Sequence, residues 1–352
     1  MRNERPWVWR LLCNMIEPLC FKGWNPEKCE EILNNTHSDL HSTSWASNPA
    51  STNEVDLQVI VPVYNVERTL AECLDSILSQ ETKYSFKVTI VNDGSPDNSL
   101  AIARRYESDS HVQIICQENK GLSGARNAAL RQMCGKYVIF IDSDDRLTPG
   151  AIESLMNAAY EHQDMDIIVG GYNEIDINGK YIRTIKASTA FPEEKPVGYP
   201  WGKVMKSKIW ETLQWPEGYW FEDVLIPLSL FPFNKVGSIS NIVYDYRINP
   251  EGIVSRSLGN NRIIETHYIT KQLILDNINR YCTQAYFEYL LVTIWINKGR
   301  LATLQNKTVE EAAFYQICYL LDKYFASMKS DNSYNQLQLA LKNKNFILYS
   351  IL

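Results

Sequence analysis

Between positions 57 and 169, this 352-residue chain repeats one pattern: a short apolar run, then a stretch with helical spacing of its apolar residues. The runs predict strands at 57–63, 86–91, 112–116, 137–141 and 166–169. The stretches between them predict helices at 66–79, 99–106, 122–133 and 150–162, the first with Leu70, Leu74, Ile77 and Leu78 on one face. Such alternation requires a mainly parallel sheet with right-handed crossovers, because a helix must carry the chain back before the next parallel strand begins. Beyond Gly170 the pattern changes. Residues 173–186 read as a hairpin turning at Asn178-Gly179, 190–200 as a loop, 207–212 and 221–231 as helical, and 239–247 as a further strand. From 260 to 352 the chain reads as helices, with Ile264, Ile269, Leu273, Leu290, Val292, Ile294, Leu301, Ile317 and Leu321 as core positions.

Hydrophobic residues make up 45% of the chain and charged residues 22%, the balance of a core-forming protein. A net charge of −6 lacks the basic footprint of a nucleic-acid binder, so no nucleic-acid partner is expected. Cys13, Cys20, Cys29, Cys73, Cys116, Cys134, Cys282 and Cys318 are scattered without a CxxC pair, and read as small core residues in a reducing compartment. No apolar run is long enough to span a bilayer. Val8, Leu11, Leu12, Met15, Ile16 and Leu19 share a helical face near Trp7, Trp9, Phe21 and Trp24. Arg10 and Asn14 interrupt it, which argues against a cleavable signal peptide. Two readings stand for residues 1–24: a helix packed on the protein's own core or on a second copy in a homo-oligomer, or an interfacial helix giving peripheral contact with the inner face of the cell membrane. The expected location is cytoplasmic. Residues 37–53 are rich in Ser, Thr, Asn and His and read as linker, with His37 and His41 solvated.

The fourth apolar run, Val138, Ile139, Phe140 and Ile141, leads directly into Asp142-Ser143-Asp144-Asp145. Ligands of open α/β sheets bind at the carboxyl ends of strands. Clustered carboxylates repel one another, and a hard cation relieves that cost. A magnesium-type ion is often held by one or two carboxylates plus substrate phosphates. The pattern therefore reads as a metal–diphosphate site. On its own it also reads as a helix cap after a strand, with Asp144 or Asp145 capping near Pro149.

Other motifs fall on the same edge. The first strand ends in Pro62-Val63-Tyr64-Asn65, with Glu67 opening the next helix. The second ends in Val91-Asn92-Asp93-Gly94-Ser95-Pro96-Asp97, where the Asp93 carboxylate can accept from a base N–H or simply belong to a turn. Asn119-Lys120-Gly121-Leu122-Ser123-Gly124-Ala125-Arg126-Asn127 places two glycines at a helix N-terminus, a setting that favours anions. Arg126 is a candidate contact to a base or phosphate. The spacing is neither a P-loop nor a GxGxxG turn.

In this order, the motifs of residues 57–171 closely resemble family 2 glycosyltransferases, which have the GT-A fold, a Rossmann-like α/β architecture. That resemblance implies a mainly parallel sheet flanked by helices and followed here by a C-terminal helical region. The resemblance covers roughly residues 56–257; with the composition of the flanks, the chain divides into an N-terminal helical extension (1–36), a linker (37–55), a GT-A domain (56–258, donor half 56–171 and acceptor half 172–258) and a C-terminal helical region (259–352). It implies a nucleotide-sugar donor, a UDP-sugar by family frequency, bound by Pro62, Tyr64, Glu67, Asp93, Arg126, Asp142 and Ser143. Asp142-Ser143-Asp144 matches the DxD motif, which makes Asp144 the main ligand of a divalent metal, manganese or magnesium, and Asp142 ribose- or metal-proximal. Trp220-Phe221-Glu222-Asp223-Val224 resembles the family's ED motif, with Asp223 as catalytic base and Glu222 supporting the base or the acceptor.

Trp201-Gly202-Lys203-Val204 resembles a segment edging the acceptor pocket, where Trp201 stacks on a sugar or packs in the core. Arg247 and Arg256, in the closing segments Tyr244-Asp245-Tyr246-Arg247 and Ile253-Val254-Ser255-Arg256-Ser257, bind diphosphate or form surface ion pairs. His37, His41, His111, His162 and His267 fall outside these motifs, unlike relatives that use a histidine as an additional metal ligand.

The expected reaction is inverting transfer of a hexosyl or N-acetylhexosaminyl group to a hydroxyl of a glycan or lipid-linked glycan, as in bacterial cell-envelope polysaccharide synthesis. Two rivals remain. A sugar nucleotidyltransferase needs a glycine-rich, basic first loop, which Pro62-Val63-Tyr64-Asn65 does not supply. An inactive binding or assembly subunit has no need of Asp142, Asp144 and Asp223.

Overall fold

The computed structural model describes residues 23–39, 45–190, 198–250, 252–279, 283–330 and 334–352. Most of the amphipathic stretch at 1–24, and His41, lie outside them. The described chain forms two compact units: Ser42–Gly252, and the residues before position 42 joined with Ile253–Leu352.

The larger unit is built on one sheet of nine strands among the described residues. They are β1 (Val55–Val63), β2 (Phe86–Asp93), β3 (Val112–Gln117), β4 (Gly135–Phe140), β5 (Arg146–Leu147), β6 (Ile167–Ile175), β7 (Tyr181–Ile185), β8 (Lys203–Lys206) and β9 (Val236–Arg247). The order is β3-β2-β1-β4-β8-β6-β9-β5, with β7 on β6. The first four strands are mutually parallel, as the alternation demanded. The antiparallel β8 then joins β4 to β6, and β9 runs parallel to β6. Residues of β1 and β4 on one face, among them Leu57, Val59, Val61, Val63 and Ile139, pack with Ile141 just beyond β4 and with the helices Leu70–Leu78 and Ala151–Glu161 into one buried cluster. The helix Gly121–Leu130 packs against β1 and β2, and the buried Gln58 of β1 donates to Gln132 O just beyond that helix.

Several expectations need correction. β6 runs to Ile175, well beyond the short strand expected, because its second half pairs with both β7 and β9. A Cβ on Gly170 would lie 2.5 Å from Val243 Cγ2, so only glycine lets β6 approach β9 there. The stretch read as helix over 221–231 is instead short 3-10 and π turns, Glu222–Val224, Ile226–Leu230 and Phe231–Phe233. Pro227 and Pro232 each lack the N–H that an α-helix needs. Cys116, expected in the core, is exposed, because β3 is the edge strand. The residues read as linker are partly pinned: Asn48 donates to Trp210 O and Leu213 O at 2.8 and 2.9 Å.

In the smaller unit, the helix Pro26–Thr36 packs against the helix Lys307–Tyr324, so the N-terminal and C-terminal segments share one core. Trp24 stacks on Tyr315 with ring centroids 5.2 Å apart, and Tyr319 donates to Trp24 O at 2.7 Å. His37 is not simply solvated: its Nε2 lies 2.9 Å from Glu265 Oε1, a buried carboxylate. Of the predicted core positions, Val292 is only half-buried, and its neighbour Leu291 is the one that packs inside. No described helix is long and apolar enough to cross a membrane.

Candidate active site

The strand order itself creates the site. β1 has β2 on one side and β4 on the other, so the order in which strands are added to the sheet reverses at β1, and ligands of open α/β sheets lodge at such switch points. Ile60 O accepts from Ile141 N at 3.0 Å, the last bond tying β1 to the end of β4. Two residues on, Pro62 faces the same side without an N–H to offer, so the strands part where the Asp142-Ser143-Asp144-Asp145 loop begins.

At the end of β2, Asp93 is buried and its Oδ1 accepts from Gln117 Nε2 at 2.7 Å and Lys120 N at 2.8 Å. The following turn needs Gly94: φ is +66°, and a Cβ would lie 3.0 Å from Asn119 N. The loops after β1 and β2 are laced together. Glu67 N donates to Asp97 Oδ2, and Glu67 Oε2 accepts from Asn98 N and Nδ2, each at 2.9 Å. The Glu67 carboxylate therefore braces one loop against the other. Tyr64, on the same loop, is 49% exposed and holds its ring toward solvent.

The acidic loop sorts its three carboxylates by environment. Asp145 is buried and saturated: Oδ1 accepts from Arg247 N at 2.6 Å and Oδ2 from Tyr244 Oη at 2.8 Å. Tyr244 Oη in turn accepts from Asp142 N at 3.1 Å, so one phenol fixes both ends of the loop. Burial, then the charges of Asp144 and Asp142, push the Asp145 carboxyl well above its ordinary value. Asp144 is less engaged, with a 3.4 Å contact from Asn249 Nδ2, and is pushed upward by burial and by Asp142. Ser143 is buried and its carbonyl accepts from Thr69 Oγ1 at 3.2 Å. Arg247 is neither a surface pair nor free for a ligand. Its side chain is buried, with Nε donating to Asp144 O at 2.7 Å and Nη2 to Glu72 Oε2 at 2.6 Å.

Among the described residues no cluster of three or more His, Cys, Asp or Glu side chains is built to hold a metal by protein ligands alone. Asp142 and Asp144 nevertheless suit a cation of the magnesium type. They are partly open, each raises the cost of the other's charge, and such ions take one or two carboxylates and complete their shell with phosphate oxygens and water.

Arg126 links this loop to the second half of the unit. Its side chain is fully buried on the helix Gly121–Leu130, with Nη2 donating to Asp142 Oδ1 at 2.8 Å and Nη1 to Glu222 Oε1 at 2.7 Å. The guanidinium lies over Trp215, 4.6 Å from the ring centroid. Burial works against its charge, but Asp142 and Glu222 outweigh that and raise its pKa. Burial also pushes the Glu222 carboxyl up; Arg126 offsets part of this, and the neighbouring Asp223 adds to it. The adjacent Asn127 completes the tie, donating to Trp215 O at 2.8 Å and accepting from Trp215 N at 2.9 Å. Asp223 differs from all of these: it is half-buried, and among the described residues its carboxylate makes no hydrogen bond or ion pair.

Trp201 does not present a sugar-stacking face. It is 4% exposed, with parallel rings close against it: Tyr244 at 4.5 Å and 4°, and Tyr199 at 4.6 Å and 7°. Lys203 is buried as well. Its Nζ donates to the carbonyls of Tyr199 and Trp201, and burial lowers its pKa to about 7. The sequence reading did not single out Asn127, Trp215 or Tyr244 for a role. The part of each depends on partners about 90 to 100 positions away.

The model of the family described as Glycosyl transferase family 2 matches residues 58–219. Glycosyltransferase GlyA of Streptococcus pneumoniae is 36% identical in an alignment of 221 residues that covers 57% of this chain and 31% of GlyA, so the match spans less than a third of that relative. A crystal structure of S. aureus TarS 1-349 in complex with UDP-GlcNAc superposes with a TM-score of 0.64 at 19% identity, covering 84% of this chain and 89% of that one. The mannosyltransferase PcManGT from Pyrobaculum calidifontis, in complex with GDP-Man and Mn2+, gives 0.52 at 15% identity over 98% and 94% of the two chains. These two structures share the fold seen here, and residues 58–219, just under half of the chain, match the model of glycosyl transferase family 2.

Proposed function

We propose that the protein is an inverting glycosyltransferase that moves a sugar from a nucleoside-diphosphate sugar, a UDP-sugar in the first instance, to a hydroxyl of a glycan or lipid-linked glycan. The observation that carries this reading is the contrast within Glu222-Asp223. Glu222 is locked to Asp142 through Arg126, while Asp223, its neighbour, keeps an unengaged carboxylate.

In the proposed reaction the acceptor oxygen attacks the anomeric carbon as the bond to the diphosphate breaks. Asp223 takes the hydroxyl proton, and the nucleoside diphosphate leaves with the electron pair of the broken bond. Asp93 holds the nucleobase end, and its Oδ1 contacts with Gln117 and Lys120 fix the direction of its carboxylate. Asp142 faces the ribose or metal, and Asp144 is the main ligand of manganese or magnesium. When bound, that ion supplies positive charge to the departing diphosphate. Glu222 and Arg126 act as positioning residues: they hold Asp142 and the turn bearing Asp223 in one geometry. Pro62, Tyr64, Glu67 and Ser143 shape the donor-side wall. The structural likeness to TarS with UDP-GlcNAc and to PcManGT with GDP-Man supports a nucleotide-sugar site.

The test is thermal unfolding against a panel of nucleoside diphosphates and nucleotide sugars, with and without manganese, followed by turnover of Asp223→Asn. A metal-dependent shift with one nucleotide class, retained in Asp223→Asn while turnover is lost, is the expected result. No shift with any nucleotide, in folded protein, overturns the reading.

A further inference from the structure

The rings of Tyr244, Trp201 and Tyr199 form a column. Tyr244 Oη is held by Asp145 and by Asp142 N–H, Trp201 stacks on the Tyr244 ring, and Tyr199 stacks on Trp201. The inner two rings are at most 4% exposed, whereas Tyr199 is 41% exposed. Its ring is also fixed from the side: Tyr246 lies 6.3 Å away and nearly parallel, and Tyr172 meets it edge-on at 5.9 Å. Its backbone carbonyl is gripped by the buried Lys203.

An exposed tyrosine ordinarily keeps its rotamer freedom and loses it only on binding. Here that freedom is already restricted, so a ligand laid on the ring meets little further ordering cost. The quadrupole of an aromatic face is negative, and the C–H bonds on one face of a pyranose carry the complementary partial charge.

We propose that the outward face of Tyr199 is the platform on which the acceptor's terminal pyranose stacks. This rests on the transferase reading above and gives it an acceptor subsite. Tyr199 takes the part that the family resemblance offered to Trp201, one ring further out. The column ties the platform to the Asp142–Asp145 loop through Tyr244, so acceptor and donor sites share one rigid support.

The test uses saturation-transfer NMR with methyl β-glucoside, methyl β-galactoside and methyl β-N-acetylglucosaminide, each in the presence of UDP. Wild-type protein is expected to give transfer to the ring protons of at least one of the three sugars. Tyr199→Ala abolishes that signal, Tyr199→Phe retains it, and both variants keep the wild-type thermal shift with UDP. Retained signal in Tyr199→Ala, equal loss in Tyr199→Phe, or no transfer from any of the three sugars to wild type overturns the platform. With the UDP shift intact, those results leave the donor site standing; loss of the UDP shift in the wild type sinks the transferase reading itself.

Discussion

Arg126 and Glu222, 96 positions apart in sequence, meet in the interior at 2.7 Å, and the same guanidinium reaches Asp142 with its other terminal nitrogen. Breaking a buried ion pair from one side leaves an uncompensated charge, at a cost of about 3–5 kcal/mol. Arg126→Met is therefore expected to lower stability by an amount of that order in urea unfolding. Arg126→Met combined with Glu222→Gln should recover part of the loss, because one of the two stranded carboxylates is gone.

Tyr244→Phe removes a single hydroxyl that serves both Asp145 Oδ2 and Asp142 N. Leaving buried groups unpaired costs about 1–3 kcal/mol. Equilibrium unfolding should show a loss in that range. The acidic loop loses its tether at the same time, so manganese-dependent nucleotide affinity should fall as well, as read by titration calorimetry.

Asp144 and Asp145 separate cleanly by substitution. Asp145→Ala strands the Tyr244 hydroxyl and the Arg247 amide, and should destabilise by about 1–3 kcal/mol. Asp144→Ala removes a carboxylate whose charge is already opposed by burial and by Asp142, so the melting temperature should hold. The manganese-dependent part of nucleotide binding should vanish in Asp144→Ala. The opposite pattern would exchange the two roles.

The acidic loop also marks the limit of what the sequence made legible. The strands of the first half were readable because burial on both faces demands unbroken apolar runs, and β1, β2 and β4 extend the predicted segments by one or two residues at most. The strand Lys203–Lys206 was not readable as a strand. It is four residues long and has a lysine at each end, one of them buried only because two carbonyls receive its ammonium. Identity and spacing place Asp144 and Asp145 in one loop, but Tyr244 and Arg247, about 100 positions later, decide which of them is saturated. Arg126 shows the same limit: a basic residue beside glycines suggests a phosphate contact, and only the tertiary structure supplies two carboxylates instead.

In the smaller unit, His267 is buried and its Nε2 lies 2.6 Å from Gln316 Oε1, with Lys271 and Asp39 as the nearby charges. Burial lowers its pKa from 6.5 to about 4. Because the folded state resists protonation, the stability His267 contributes is complete above pH 6.5 and is lost as pH falls toward 4. The loss at the acid end is about 3 kcal/mol. Urea unfolding at a series of pH values should show this slope in the wild type, and His267→Gln should flatten it.

Met205 pairs with Val138 of β4 on one side and with Ile167 of β6 on the other. This short antiparallel strand makes a single hydrogen-bonded fabric of the β1–β4 half and the β6–β9 half of the sheet. Neither half can then swing as a rigid flap about a hinge between them without breaking that fabric. Amide exchange across this seam should be among the slowest in the larger unit, and a change of ligand preference is left to the loops at the sheet's edge while the fabric beneath them stays whole.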